Sequence, residues 1–224
     1  MYKINLVSSS GNITYEGAPV DPLTTDIPIN IGWNWVSYVP QESIDINTAL
    51  SSIGSSAIYI KSQSGYSDYY DGVGWLGTLS DLIPKDGYMV NATSESILTY
   101  PNDGSSFSSS FNKNGNKPYW TMDDYKSFEH NGTVTIKLED VKNITTDDQV
   151  GAFINGECRG VAYAKKYAIN ENIYFQMMVY SNSSNEKITF KYFNSKENKE
   201  YDLSGHITFE PDMHLNNLLD PFRM

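Results

Sequence analysis

Between residues 132 and 210 the chain runs strand after strand, and no stretch in it has the length or period of a helix. The runs are GTVTIKLE (132–139), QVGAFI (149–154), ECRGVAYAKK (157–166), IYFQMMVYS (173–181), KITFKYFN (187–194) and EYDLSGHITFE (200–210). Each is rich in β-branched and aromatic residues, which suit a pleated, half-buried surface. Asn155-Gly156 separates two of them and is a strong short hairpin signal, because both central positions of the turn need positive φ. The SNSSNE run (181–186) is a second tight connection. Short strands at this spacing predict an antiparallel β-sandwich over residues 119–224. The 17 Tyr, 9 Phe and 4 Trp residues point the same way, since aromatics let a chain with few aliphatic residues build modest β cores.

The first half is also strand-rich but differs in character. IPINIGWNWVSYVP (27–40) reads as one strand with Ile29, Ile31, Trp33 and Trp35 on one alternate set, predicted to face the core. Ile46, Ala49, Leu50 and Ile53 sit at i, i+3, i+4 and i+7, with Asp45 placed to cap the first turn and Gly54 to end it. AIYIKSQ (57–63) is a strand, GYSDYYDG reads as a loop, GWLGTL (74–79) is a strand, and residues 87–101 read as a closing hairpin. That last segment has a counterpart at the start of the chain. With one residue of slack, residues 2–15 match residues 88–100 at Tyr2/Tyr88, Asn5/Asn91, Ser8/Ser94, Ile13/Leu98, Thr14/Thr99 and Tyr15/Tyr100. This is the mark of an array of units of roughly 85 residues. Residues 1–24 are expected to be the tail hairpin of a preceding unit, or an added edge completing a sheet with residues 25–101. Residues 102–118 are Ser/Asn/Gly-rich without apolar periodicity and read as a linker. The predicted fold class is therefore mainly β in two domains: a small β-rich module with one short helix over 1–101, then the antiparallel β-sandwich.

A formal net charge of −11 argues against nucleic acid and against anionic membrane surfaces, both of which call for clustered Lys and Arg. No apolar run is long enough for a membrane-spanning helix, so no membrane insertion is expected. The single cysteine, Cys158, forms no internal disulfide and reads as a small buried strand residue. No Cys/His cluster suits zinc.

Three residue sets are candidates for a site. The first is aromatic: Tyr66, Tyr69 and Tyr70 in the loop-like run, with Trp75, as a stacking platform for a glycan or peptide. Core is the competing assignment for Trp75, and also for Trp33 and Trp35. The second is acidic. Asp147 and Asp148, with Asp123, Asp124 and Asp140 elsewhere, present paired carboxylates of the kind calcium takes, although no D-x-D-x-D-G loop is present. Solvated turn acids are the simpler account. The third is Glu157 with Arg159, two apart and so on one strand face, suited to reading a carboxylate or sugar hydroxyls. A cross-strand ion pair is the alternative. No hydrolase, metalloprotease or phosphate-loop signature occurs, so catalysis is not expected and no cofactor other than calcium is suggested.

The order of motifs then carries a resemblance. IPINIGWNWVSYVPQ, IKSQSGYSDYY, GWLGTL, GYMV and LTYP are similar to a repeated module of large secreted and cell-surface proteins of Bacteroidetes and related bacteria, which reads G-W-N-W-[IV]-x-Y-x-P, I-K-S-Q, G-W-x-G-x-L, G-Y-M, L-x-Y-P. The second half, with TVTIKLED, DDQVGAFINGECRGVA and HITFEPD, resembles that module's usual companion domain. The resemblance implies an extracellular or cell-surface location, flanking domains in a longer polypeptide, and a non-catalytic binding or adhesion role toward a glycan or a host or cell-surface protein. A structural spacer without a ligand is the alternative, and a carbohydrate-active enzyme fragment stands below both.

Overall fold

A computed structural model describes residues 14, 16–18, 20–102, 118–122 and 124–224. The expected tail hairpin over 2–15, most of the expected linker and Asp123 lie outside the described residues. The chain is mainly β. It divides into two compact units, the first holding the described residues up to 62 and from 67 to 102, the second holding 63–66 and the described residues from 118 onward.

The first unit contains strands β1 (Ile27–Ile29), β2 (Gly32–Ser37) and β3 (Ile44–Asp45), helix α1 (Ile46–Ala49), and strands β4 (Ala57–Lys61), β5 (Tyr66–Tyr70, whose first residue groups with the second unit), β6 (Gly74–Gly77), β7 (Asp81–Leu82), β8 (Gly87–Ala92) and β9 (Ser96–Leu98). A five-stranded sheet in the order β2-β8-β4-β5-β6 is accompanied by two small pairs, β1-β9 and β3-β7. The helix is one turn long. Asp45 caps it as expected, its carboxylate accepting from Asn47 N at 3.0 Å and Thr48 N at 3.2 Å. Ile46, Ala49, Leu50 and Ile53 all enter the core, with Val36, Ile60, Leu82, Val90 and the tyrosines 38, 88 and 100.

Two expectations for this unit are corrected. Residues 27–40 are not one strand. Gly32 adopts a φ of +89°, and the Asn34 amide bridges back to Asn30, accepting from Asn30 N at 2.9 Å and donating to Asn30 O at 2.7 Å. The bend sends β1 to β9 and β2 to β8, and it resets which residues face inward. Nor is 87–101 a hairpin: β8 lies between β2 and β4, after which the chain turns a corner and β9 joins β1.

The second unit contains β10 (His130–Lys137), β11 (Gln149–Ile154), β12 (Glu157–Lys166), β13 (Ile173–Ser181), β14 (Lys187–Asn194), β15 (Lys199–Thr208), β16 (His214–Leu215) and β17 (Phe222–Arg223). Its main order is β15-β14-β11-β12-β13-β10, all antiparallel, with the short β16 and β17 added parallel to β10. β12 belongs to both halves of this sheet. Its residues 157–163 pair with β11 and its residues 164–166 with β13, so the sheet curls over on itself. The core lies between the two halves. Alternate side chains of each strand fill it: Val134 and Ile136, Phe175, Met177 and Val179, Val150, Ala152 and Ile154, Ile188, Phe190 and Tyr192. Asn155 and Gly156 form the predicted two-residue turn, with φ of +50° and +83°. No helix among the described residues is long and apolar enough to cross a membrane.

Candidate functional site

Trp33 and Trp35 face away from the core. They are 42% and 52% exposed on alternate positions of β2, while Val36 points inward. This overturns the expectation that both indoles are core, and the cause is the bend at Asn30–Gly32. A chain broken by one turn re-enters its next strand with a new phase, and a phase change of one residue moves a whole alternate set to the other face. Of the expected inward set only Ile29 is buried; Ile31 is exposed too.

β8 aligns Asn91 opposite Trp33 and Met89 opposite Trp35, both half-buried. Trp33 stands edge-on to Tyr59 of β4, with ring centroids 5.6 Å apart and planes at 88°. That contact restricts the Trp33 ring before any ligand arrives. The resulting face offers about 200 Å² of exposed indole, taking half of a typical aromatic side chain's area for each ring. A polar amide lies beside it. Such a face stacks on flat apolar surfaces, including the C–H faces of sugar rings, while Asn91 has one acceptor and two donors for hydroxyls.

The aromatic residues singled out by sequence lie elsewhere and are mostly closed off. The run read as a loop is strand β5, paired with β6 at Ser67↔Gly77 through Tyr70↔Gly74. Tyr66, Tyr70 and Trp75 are buried. The Tyr66 hydroxyl lies 2.8 Å from Thr135 Oγ1 and 3.1 Å from Val134 O, within the unit to which residues 63–66 belong. Trp75 sits in the first core, its backbone N–H donating to Asn47 Oδ1 at 2.8 Å. Tyr69 is half-buried and packs edge-on against it, centroids 5.4 Å apart. Tyr66, Tyr70 and Trp75 are corrected from stacking platform to buried positions, while Tyr69 keeps part of its ring exposed. Two glycine-flanked strands and a run of tyrosines look alike in sequence whether both faces are covered or one is open.

Glu157 and Arg159 do share a face of β12. Their ion pair, Arg159 Nη2 to Glu157 Oε2 at 2.9 Å, is made within one strand, not across two. The guanidinium also lies 4.6 Å over the Phe128 ring, so one side is stacked and one arm is paired. Cys158 between them is half-buried, not buried. Burial pushes its thiol pKa up, opposed by the bond from Sγ to Gly160 O.

Asp148 is a structural hub. Buried in the second unit, its Oδ1 accepts from Ser195 Oγ (2.6 Å), Ser195 N (2.9 Å) and Thr145 Oγ1 (3.0 Å), and its Oδ2 from Tyr192 OH (2.6 Å) and Thr145 N (3.0 Å). Burial alone would raise its pKa, but these bonds outweigh it and hold the carboxyl below its ordinary value. The same pair raises the Tyr192 pKa, first through burial and then through the bond to Asp148. A carboxylate with five internal donors has no free lone pair for calcium, so the expectation of Asp148 as a metal ligand is corrected. Asp147, next to it, is half-exposed, and no group of three or more His, Cys, Asp or Glu gathers for a metal among the described residues. Sequence reasoning missed the partner residues of Asp148, because Thr145, Tyr192 and Ser195 approach it from up to 47 positions away.

The first unit also has an open cleft of about 420 Å³ walled by Pro22, Pro40 and Pro101, with Asp21 and Glu42 among its lining residues. Asp21 already caps a short 3-10 turn by accepting from Leu23 N at 3.0 Å. No family model, curated protein or solved structure matches this chain.

Proposed function

We propose that this protein is a non-catalytic binding module of an extracellular or cell-surface bacterial protein, and that its ligand surface is the Trp33/Trp35 face of β2. The observation that carries the reading is the outward placement of two indoles, Trp33 and Trp35, at alternate positions on one face of β2. Paired exposed aromatic rings supply the stacking surface that ligand and partner sites use. A glycan is the first ligand class, since ring stacking plus one amide is the recognition chemistry available. The motif resemblance to secreted and cell-surface modules supports the location.

The test is a glycan array followed by titration of the full chain with the strongest hit. Binding in the micromolar range, weakened about 10- to 100-fold by Trp33→Ala with Trp35→Ala, is expected. The same pair of substitutions should lower the melting temperature by several degrees without unfolding the unit, because each ring buries about half its area and Trp33 packs against Tyr59. Absence of binding at micromolar protein would make the module a spacer. Binding that survives the double substitution would move the site off β2.

A further inference from the structure

The charge around the Trp33/Trp35 face limits what can lie on it. Residues 1–102 hold ten Asp and Glu but only three lysines, Lys3, Lys61 and Lys85, and no arginine or histidine. Lys61, opposite Met89 in β4, is 2% exposed, so its ammonium is closed to a ligand. Lys85 is exposed and is followed directly by Asp86. A carboxylate or sulfate on a sugar is read by charge-assisted bonds from Arg or Lys. The face carries neither in accessible form. β2 and β8 pair Trp33 with Asn91 and Trp35 with Met89, and β4 sets Tyr59 against Asn91. The polar group beside the rings is thus an uncharged carboxamide. The two indoles stand two residues apart, about 6.8 Å along an extended strand. Among the described residues β2 ends its sheet, with β8 on one side only. Each indole can take one flat ring face, so a ligand that uses both extends along β2.

We infer that the ligand of the Trp33/Trp35 face is an uncharged glycan chain of two or more sugar rings laid along β2, and that acidic polysaccharides are refused. The inference rests on the reading of this face as a glycan site and adds to it the charge and the length of the chain. Sugar C–H surfaces stack on the two rings, and Asn91 beside Trp33 bonds hydroxyls. A uronate-bearing or sulfated chain would make the same stacks, but it would bring its charge into an acid-rich unit with no cation on the face to meet it. Like charges brought together weaken binding and slow the encounter. Selection of this kind works by repulsion of the wrong ligand, and salt screens it.

The test is an array carrying uncharged, uronate-bearing and sulfated glycans. Titration of the full chain follows, with the strongest uncharged hit and with its hydroxyethylated and carboxymethylated derivatives, which are similar in bulk and differ in charge. The hits should be uncharged chains. At about 0.01 M salt, where charges are felt over about 30 Å, the carboxymethylated chain should bind at least about 10-fold more weakly than the hydroxyethylated one. The gap should close toward about 1 M salt, where that range is about 3 Å. Trp33→Ala and Trp35→Ala should each weaken the uncharged chain about 3- to 10-fold. Hits confined to acidic glycans, or a carboxymethylated chain that binds as tightly as the hydroxyethylated one at low salt, overturn the charge inference and leave the glycan site in place. An uncharged hit that feels only one of the two substitutions overturns the length. An array with no hits removes the glycan reading itself, and this inference with it.

Discussion

Removing the Asp148 carboxylate is the sharpest test of how the second unit is held together. Asp148→Ala deletes the acceptor of five hydrogen bonds and leaves Thr145 N, Ser195 N, Tyr192 OH and two hydroxyls facing a small void. Hydrogen bonds to a charged group contribute about 1.5–3 kcal/mol each, and their loss is not additive. Taking the two backbone donors and the Tyr192 hydroxyl as those least able to find water, the loss is about 3–5 kcal/mol. For a unit of this size the melting transition should fall by at least about 10 °C. Calorimetry of the full chain, with hydrogen exchange read at β11 and β14, assigns the loss to the second unit. The carboxyl is held below its ordinary pKa in the fold. Its contribution is therefore complete above about pH 4, the unfolded value, and disappears as the pH drops through the folded value. Asp148→Asn removes this charge, so its stability should depend less on acid than the parent chain's does. A fall of under about 3 °C for Asp148→Ala, or a calcium-dependent rise in melting temperature that vanishes in Asp148→Asn, would refute the hub and restore the metal reading.

Two further outcomes are expected. Gly160→Ala should destabilise the second unit by about 1–3 kcal/mol in denaturant titration, because its new methyl would sit 2.4 Å from the Met178 carbonyl oxygen, a backbone atom with nowhere to go. Spectrophotometric titration of the tyrosines should show a class that does not ionise in the folded state near the ordinary value: burial pushes Tyr88 up to about 12, and burial likewise raises Tyr38 and Tyr100. Since these folded values exceed the unfolded one, the stability they carry is complete below about pH 10 and falls above it, so alkaline unfolding and phenolate formation should coincide in the first unit.

What local chemistry governs was readable in the linear chain. The strands of the second unit, the Asn155-Gly156 turn, the Asp45 cap and the inward stripe of Ile46, Ala49, Leu50 and Ile53 depend on a residue and its near neighbours, and all are present in the fold. Alternation alone gives the two faces of a strand but not their phase across a bend, and so it turns Trp33 and Trp35 inward where the fold turns them out. A run of Tyr, Ser and Asp looks polar in the chain, yet β5 pairs with β6 and all its residues but Tyr69 are buried. Two short apolar runs flanking a polar bend give residues 87–101 the look of a hairpin, whereas β8 pairs with β2 and β9 with β1.

The sequence by itself determined that this chain is β-rich, where most of its strands and turns lie, and that residues 2–15 match residues 88–100. Only the tertiary structure decided which aromatics meet water, that Asp148 is consumed by Thr145, Tyr192 and Ser195, and that β8 lies between β2 and β4. The division follows from range. Backbone preference and side-chain period act over a few residues, while burial and hydrogen-bond pairing are set by partners dozens of positions away, brought close only when the sheets close around their cores.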